Sequence, residues 1–171
     1  MSLGHSLALL VVSTISLHTV PFLEADLGFS KTSAAQVVMV VIGVRAFGQA
    51  IGGVLGDRFA KQYIVALTIL GHSGALWLLA TADSCTQVIV SGVIQGLVWG
   101  IRGPNLTAMR GDFFGRKSFA MIVGFSQLII MLGLVVGPLM TGYLADQYSY
   151  SFGFKVVAVA TMPAFFFFVF V

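Results

Sequence analysis

Arg45 lies inside an otherwise apolar run from Thr32 to Gly56, about 18 Å of helix from Asp57 at ~1.5 Å per residue. A charge at that depth costs from about 2.5 to more than 10 kcal/mol on an isolated helix, so something must compensate it. Water, a backbone carbonyl, a residue of another segment or an anionic solute would each do so. No Asp or Glu lies at similar depth in the sequence, and this pattern favours anion binding. Arg102 sits in the run 86–109, about two helical turns before Arg110. It either contacts substrate or snorkels toward the nearer interface. The adjoining Gly103-Pro104 would loosen the helix and free backbone groups to meet a polar cavity. Asn105 and Gln95 are candidate lining residues or partners in an interhelical hydrogen bond worth about 1 kcal/mol. His18, one turn before Pro21, is either a proton acceptor or a packed, hydrogen-bonded side chain.

Other chemistries find little support. Three His and one Cys make neither a metal centre nor a disulfide framework, and nothing calls for a cofactor. Gly124-Phe125-Ser126-Gln127 is a poor serine-nucleophile motif, because no His follows Ser126 to act as its base. We therefore expect no enzyme. A net charge of +3 on so apolar a chain is too small for nucleic-acid binding.

The elements that must position these residues are membrane spans. The 171 residues are 58% hydrophobic and 9% charged, against about 25% charged in soluble domains. With roughly 20 apolar residues per crossing, the chain supplies about six helices and one domain, 1–171. Charges and turn residues punctuate them. The first ends near Pro21 to Leu23, and the others cover about 32–56, 62–82, 86–109, 118–145 and 152–171. Arg58, Lys61, Arg110, Arg116 and Lys117 follow spans two and four, whereas Lys31 alone represents the basic residues in the opposite loops. Both termini are thus expected on the cytoplasmic side of a plasma or inner membrane.

Gly48, Gly52 and Gly56, like Gly92, Gly96 and Gly100, recur every fourth residue and give each helix a smooth face for close approach. Gly133, Gly137 and Pro138 are expected to bend the fifth helix. The strings Gly53-Val54-Leu55-Gly56-Asp57-Arg58-Phe59 and Gly142-Tyr143-Leu144-Ala145-Asp146-Gln147-Tyr148 match as G-x-L-small-D-x-aromatic at the ends of spans two and five. Three helices separate them, which predicts two three-helix units in inverted orientation, a plan recurrent in secondary transporters. Asp57 is expected to open the third helix, where the helix N-terminus favours a carboxylate, with Arg58 and Lys61 as its partners or bound to anionic lipid.

Gly52 to Lys61 resembles the loop signature of the major facilitator superfamily, G-x-L-a-D-r-x-G-r-k, with Ala60 in place of its last Gly. Gly133 to Gly142 resembles the Gly-Pro motif of the fifth helix in a half. His18 to Leu23, Arg102-Gly103-Pro104 and Gly111 to Lys117 resemble the C-terminal half of monocarboxylate-porter-like members. The resemblance implies an all-α six-helix half of a twelve-helix carrier working by alternating access. Its partners would be a small organic anion, protons, the bilayer and a missing N-terminal six-helix half. It implies substrate contact for Arg45, Gln49, Arg102, Asn105 and His18. Relatives carry an Arg near the place of Gln49. The loop residues Gly53, Asp57, Arg58 and Lys61 would latch one conformational state. The competing reading is a six-helix scaffold or channel subunit that does not transport.

Overall fold

The computed structural model describes residues 1–170, with side chains outside 115–120. It places α1 at Ser2–Ala25, α2 at Lys31–Arg58, α3 at Lys61–Ala80, α4 at Cys85–Gln147 and α5 at Tyr150–Thr161. A 3₁₀ turn, Met162–Phe165, leads into α6, Phe166–Val169. Ser30, Ser84 and Ser149 cap α2, α4 and α5 by accepting from the third backbone N–H of each helix. Gly28, at φ +67°, turns the chain between α1 and α2, and Phe29 N–H closes the turn on the carbonyl of Leu23.

The 63 residues of α4 cannot run straight, because α1 touches α4 in two opposite senses. His5 meets Arg110, while Ile15 and Thr19 border a small void with Ser91, Gly92 and Gln95. Over the same length of α1, Ser2 meets Ser126, Ser6 meets Gly133 and Thr14 meets Thr141. One set of neighbours falls in number along α1 and the other rises. Hence α4 is two antiparallel arms, 85–114 and 121–147, and the chain makes six crossings among the described residues. Five of these helices are long and apolar enough to span a membrane: Ser2–Ala25, Lys31–Arg58, Lys61–Ala80, Met121–Gln147 and Tyr150–Val169. The sixth, the first arm, is diluted by Gln87, Gln95, Arg102 and Asn105.

Helix ends differ from the sequence expectation. α2 continues through Asp57 and Arg58, the first arm continues past Met109, and α5 begins at Tyr150. Charged residues end the hydrocarbon-compatible stretch, whereas the helix itself can continue into the interfacial region. Asp57 therefore lies in the last turn of α2, not at the opening of α3, which Lys61 begins. Arg116, Lys117 and the expected start of the fifth span at Ser118 lie outside the described side chains.

Two seams join the helices, and they correspond. Lipid gives apolar side chains little reason to associate, so close contact between small residues must do it. Along α2 and the first arm, a Cβ on Gly48 would stand 2.6 Å from the carbonyl oxygen of Leu97, and one on Gly52 would stand 2.7 Å from Ile101 Cα. Along α1 and the second arm, a Cβ on Gly137 would stand 2.5 Å from the carbonyl oxygen of Leu10, and Thr14 and Thr141 share a hydrogen bond. Superposing Gly53–Asp57 on Gly142–Asp146 carries Gly48 onto Gly137 and Gly52 onto Thr141. The partners then match in step, Leu97 with Leu10 and Ile101 with Thr14. The same register places His72, bonded to Gln95, on Thr161, bonded to Leu7. The fold is two three-helix repeats in inverted orientation. The matching helices α2 and the second arm are alike in burial, with 22% and 17% of their apolar stretches enclosed against 50% for α1 and 56% for α3.

Candidate functional site

The α2 seam determines where the arginines go. Gly96 and Gly100 let the first arm lie against the backbone of Val41 and Arg45, so the Arg45 side chain passes beside the arm and meets the next large residue on it. That residue is Trp99, whose ring centroid lies 4.0 Å below the guanidinium, a cation–π contact. Arg45 Nε is buried with no hydrogen-bond partner among the described residues. Gln49, one turn further along α2, is exposed. Trp99 also borders a cleft of about 180 Å³ between α1, α2 and the first arm, with Ser16, Thr19, Val41 and Ile42 on its walls. A larger cavity of about 440 Å³ is lined by Leu55, Phe59, Tyr63, Leu67 and other chiefly apolar residues, and neither Arg45 nor Arg102 is among them.

Arg102 and Asn105 do not share that open surface. Arg102 is 3% exposed and Asn105 2%. Asn105 donates from Nδ2 to the carbonyls of Gly52 and Ile101, both at 2.8 Å, and so ties α2 to the first arm. Its Oδ1 lies against Gly56, where a Cβ would collide with it. Arg102 NH1 is buried and unpartnered among the described residues, with Arg45 and Arg110 as its charged neighbours. His18 has a structural partner: Nε2–H donates 3.0 Å to the carbonyl of Pro138, and the ring leans on Tyr150 at 5.7 Å. The helix runs on through Gly133, Gly137 and Pro138. Close approach to α1 accounts for both glycines, and Ser6 Oγ accepts the Gly133 N–H at 3.0 Å.

In the loop motif, Lys61 pairs with Asp112 at 3.1 Å rather than with Asp57. Asp57 and Arg58 are exposed, and Gly53 faces open space. The Lys61–Asp112 pair ties the α2–α3 connection to the end of the first arm, at a strength of ~1 kcal/mol or less for such an exposed pair.

Sequence reasoning missed two interior contacts. His5 accepts from Arg110 at 2.8 Å, and His72, wholly buried, contacts Gln95 at 3.0 Å. Arg110 stands two four-residue steps beyond Arg102, so both belong to one helix stripe, and that spacing was the available clue. All six acidic residues lie in loops, in the last turn of a helix or beyond the buried length of an arm. The membrane interior therefore carries arginine without carboxylate.

The Major Facilitator Superfamily model matches residues 1–171, and the chain belongs to that family. It is 26% identical over 135 residues to the multidrug export protein EmrB of Haemophilus influenzae, covering 79% of this chain and 26% of that protein. It is 24% identical over 161 residues to a probable actinorhodin transporter of Streptomyces coelicolor, covering 94% and 28% respectively. The quinolone resistance protein NorA of Staphylococcus aureus is 24% identical over 126 residues, 74% of this chain and 32% of its own. A crystal structure of peptide transporter POT in complex with sulfate superposes with a TM-score of 0.85 at 21% identity, over 98% of this chain and 36% of that one. The chain thus spans about a quarter to a third of the curated relatives. It is a multi-pass membrane protein with the fold of a transporter half.

Proposed function

We propose that this chain forms one six-helix half of a secondary transporter for small organic anions, monocarboxylates being the simplest, and that it works by alternating access. The observation that carries this reading is Arg45. It is a mid-membrane guanidinium on the sparsely buried helix α2, it stacks on Trp99, and no carboxylate lies at its depth. An anionic solute resolves that charge and gains Trp99 as an apolar neighbour. Gln49 supplies a second polar group one turn away. Arg102 supports the site through its charge, from behind the seam. The chain serves as the C-terminal half, both termini face the cytoplasm, and the exposed faces of α2 and the second arm receive the N-terminal half. Protons are the coupling ion in this reading.

A second reading, export of amphipathic drugs, draws support from the chiefly apolar cleft beside Trp99 and from the names of the relatives for multidrug export and quinolone resistance. Reconstitution of the chain with a complementary half in liposomes tests both. Saturable uptake of small carboxylates, lost in Arg45→Gln, supports the anion carrier. Movement of a quinolone with equal rates in wild type and Arg45→Gln overturns it in favour of the exporter. The chain alone is expected to be inactive, because its polar face then lies against lipid. Robust uptake by the chain alone would instead make a dimer the working unit.

A further inference from the structure

We infer that the substrate is an aromatic monocarboxylate, with its single ring seated in the cleft beside Trp99 and its carboxylate on Arg45. The inference rests on the anion-carrier reading above and narrows it to one class of anion.

Helix α2 sets the arrangement. Val38, Val41, Ile42 and Arg45 stand three and four residues apart, so they share one face of α2 and follow one another along it. The first three line the cleft of about 180 Å³, and the fourth holds its guanidinium 4.0 Å from the ring centroid of Trp99, which lines the same cleft. An apolar recess and a cation are thus neighbours on one stripe, with Trp99 common to both. Arg45 stands about 6 Å along the helix from Val41 and about 10 Å from Val38. A ring lodged against the valines therefore presents a carboxylate on a short stem to the guanidinium.

Volume selects the ring. An apolar cavity of about 150 Å³ accepts one benzene molecule, and this cleft is of that size, with Ile15 and Thr19 of α1 completing its wall. The tail of a short aliphatic acid would leave most of it empty, and each wall atom facing a void forfeits its contacts. Trp99 favours an aromatic occupant over an aliphatic one, because flat rings pack in offset or edge-to-face pairs. Charge selects one carboxylate rather than two. Among the described residues, no Lys, Arg or His lines the cleft, and its polar side chains are Ser16 and Thr19. Ser16 already donates to the carbonyl of Val12 at 2.8 Å. A second carboxylate would lie there without a counter-charge.

The test is uptake by the chain paired with a complementary half in liposomes, with phenylacetate, cyclohexylacetate, 2-naphthylacetate and propionate as solutes. Phenylacetate should half-saturate uptake at a concentration about tenfold below propionate. Cyclohexylacetate should need more than phenylacetate, and 2-naphthylacetate, whose fused rings exceed the cleft, should lose the advantage. Val38→Phe and Ile42→Trp fill the cleft from a half-buried and an exposed position of α2. Each should bring phenylacetate and propionate to equal half-saturation, and Arg45→Gln should abolish uptake of both. The ring site is overturned if phenylacetate half-saturates no lower than propionate, cyclohexylacetate or 2-naphthylacetate, or if its preference survives both filling variants; uptake of propionate that still depends on Arg45 would then leave the anion carrier standing. Uptake indifferent to Arg45→Gln overturns the anion carrier and the ring site together.

Discussion

Gly48→Ala should destabilise the α2 seam by an amount the geometry sets. The new methyl would meet the Leu97 carbonyl oxygen at 2.6 Å and the Gly100 Cα at 3.1 Å. Ordinary contact begins near 3.4 Å, so the helices must separate by about 0.8 Å, and both obstacles are backbone that no rotamer change can move. Overpacking of this kind costs about 1–3 kcal/mol, a factor of roughly 5 to 150 in the unfolding constant. Gly137→Ala should cost a similar amount, since its methyl meets the Leu10 carbonyl at 2.5 Å and Ser13 Oγ at 2.7 Å in the matching seam. Gly43→Ala is the control: it lies on α2 with nothing within 4 Å, and it should be neutral or stabilising by up to about 1 kcal/mol. Unfolding from dodecylmaltoside into dodecyl sulfate, followed by circular dichroism, gives the three values. The reasoning fails if Gly48→Ala and Gly43→Ala unfold together, or if Gly48→Ala and Gly137→Ala differ by more than their separate errors.

Asn105→Leu should cost about 1–2 kcal/mol in the same assay from its two hydrogen bonds, with a further loss where the branched side chain meets Gly56. Asp112→Asn should change stability by less than about 1 kcal/mol, and added salt should erase the change, as the side chain is 64% exposed. Single cysteines at Arg58 and Gln147, in a background without Cys85, should label from opposite sides of the membrane; labelling from one side would remove the inverted topology. Arg45→Gln should leave the protein folded in the membrane while abolishing uptake by the paired halves; unchanged uptake would take Arg45 out of the site.

The legible parts of this protein are those in which one residue or one helix carries the whole message. Arg45 stands out because a charge deep in an apolar run violates a strong rule without any knowledge of its neighbours. The glycine stripes are readable from four-residue spacing, and the structure sets them face to face across one seam. The Gly53–Asp57 and Gly142–Asp146 match disclosed the repeat, since a duplicated helix end keeps its turn chemistry. What sequence could not supply is rotation. Arg102 and Asn105 lie on a polar stripe of the first arm that turns toward α1, α2 and α3. A helix in lipid is apolar around most of its circumference, so its residue pattern does not mark which side faces its neighbours. Trp99 became the floor of the Arg45 site only through the register of α2 against that arm. The bond from Arg110 to His5 depends on the first arm lying alongside α1, 105 residues away in sequence, a long-range closure invisible to local pattern. Asp57 was misplaced for a simpler reason, because helices do not end where charge begins.

The two seams also differ in when they can exist during synthesis. Asn105 and Gly52, which clamp the α2 seam, are 53 residues apart, whereas Thr14 and Thr141 in the α1 seam are 127 apart. At about 5–20 residues per second on the ribosome, the first closes roughly 3–11 s after its early partner emerges and the second roughly 6–25 s after. Through that interval α1 waits in the bilayer with Ser6, Ser13 and Thr14 turned toward a neighbour not yet made. The α2 seam can therefore close while the second arm, the partner of α1 in the other seam, is still being made.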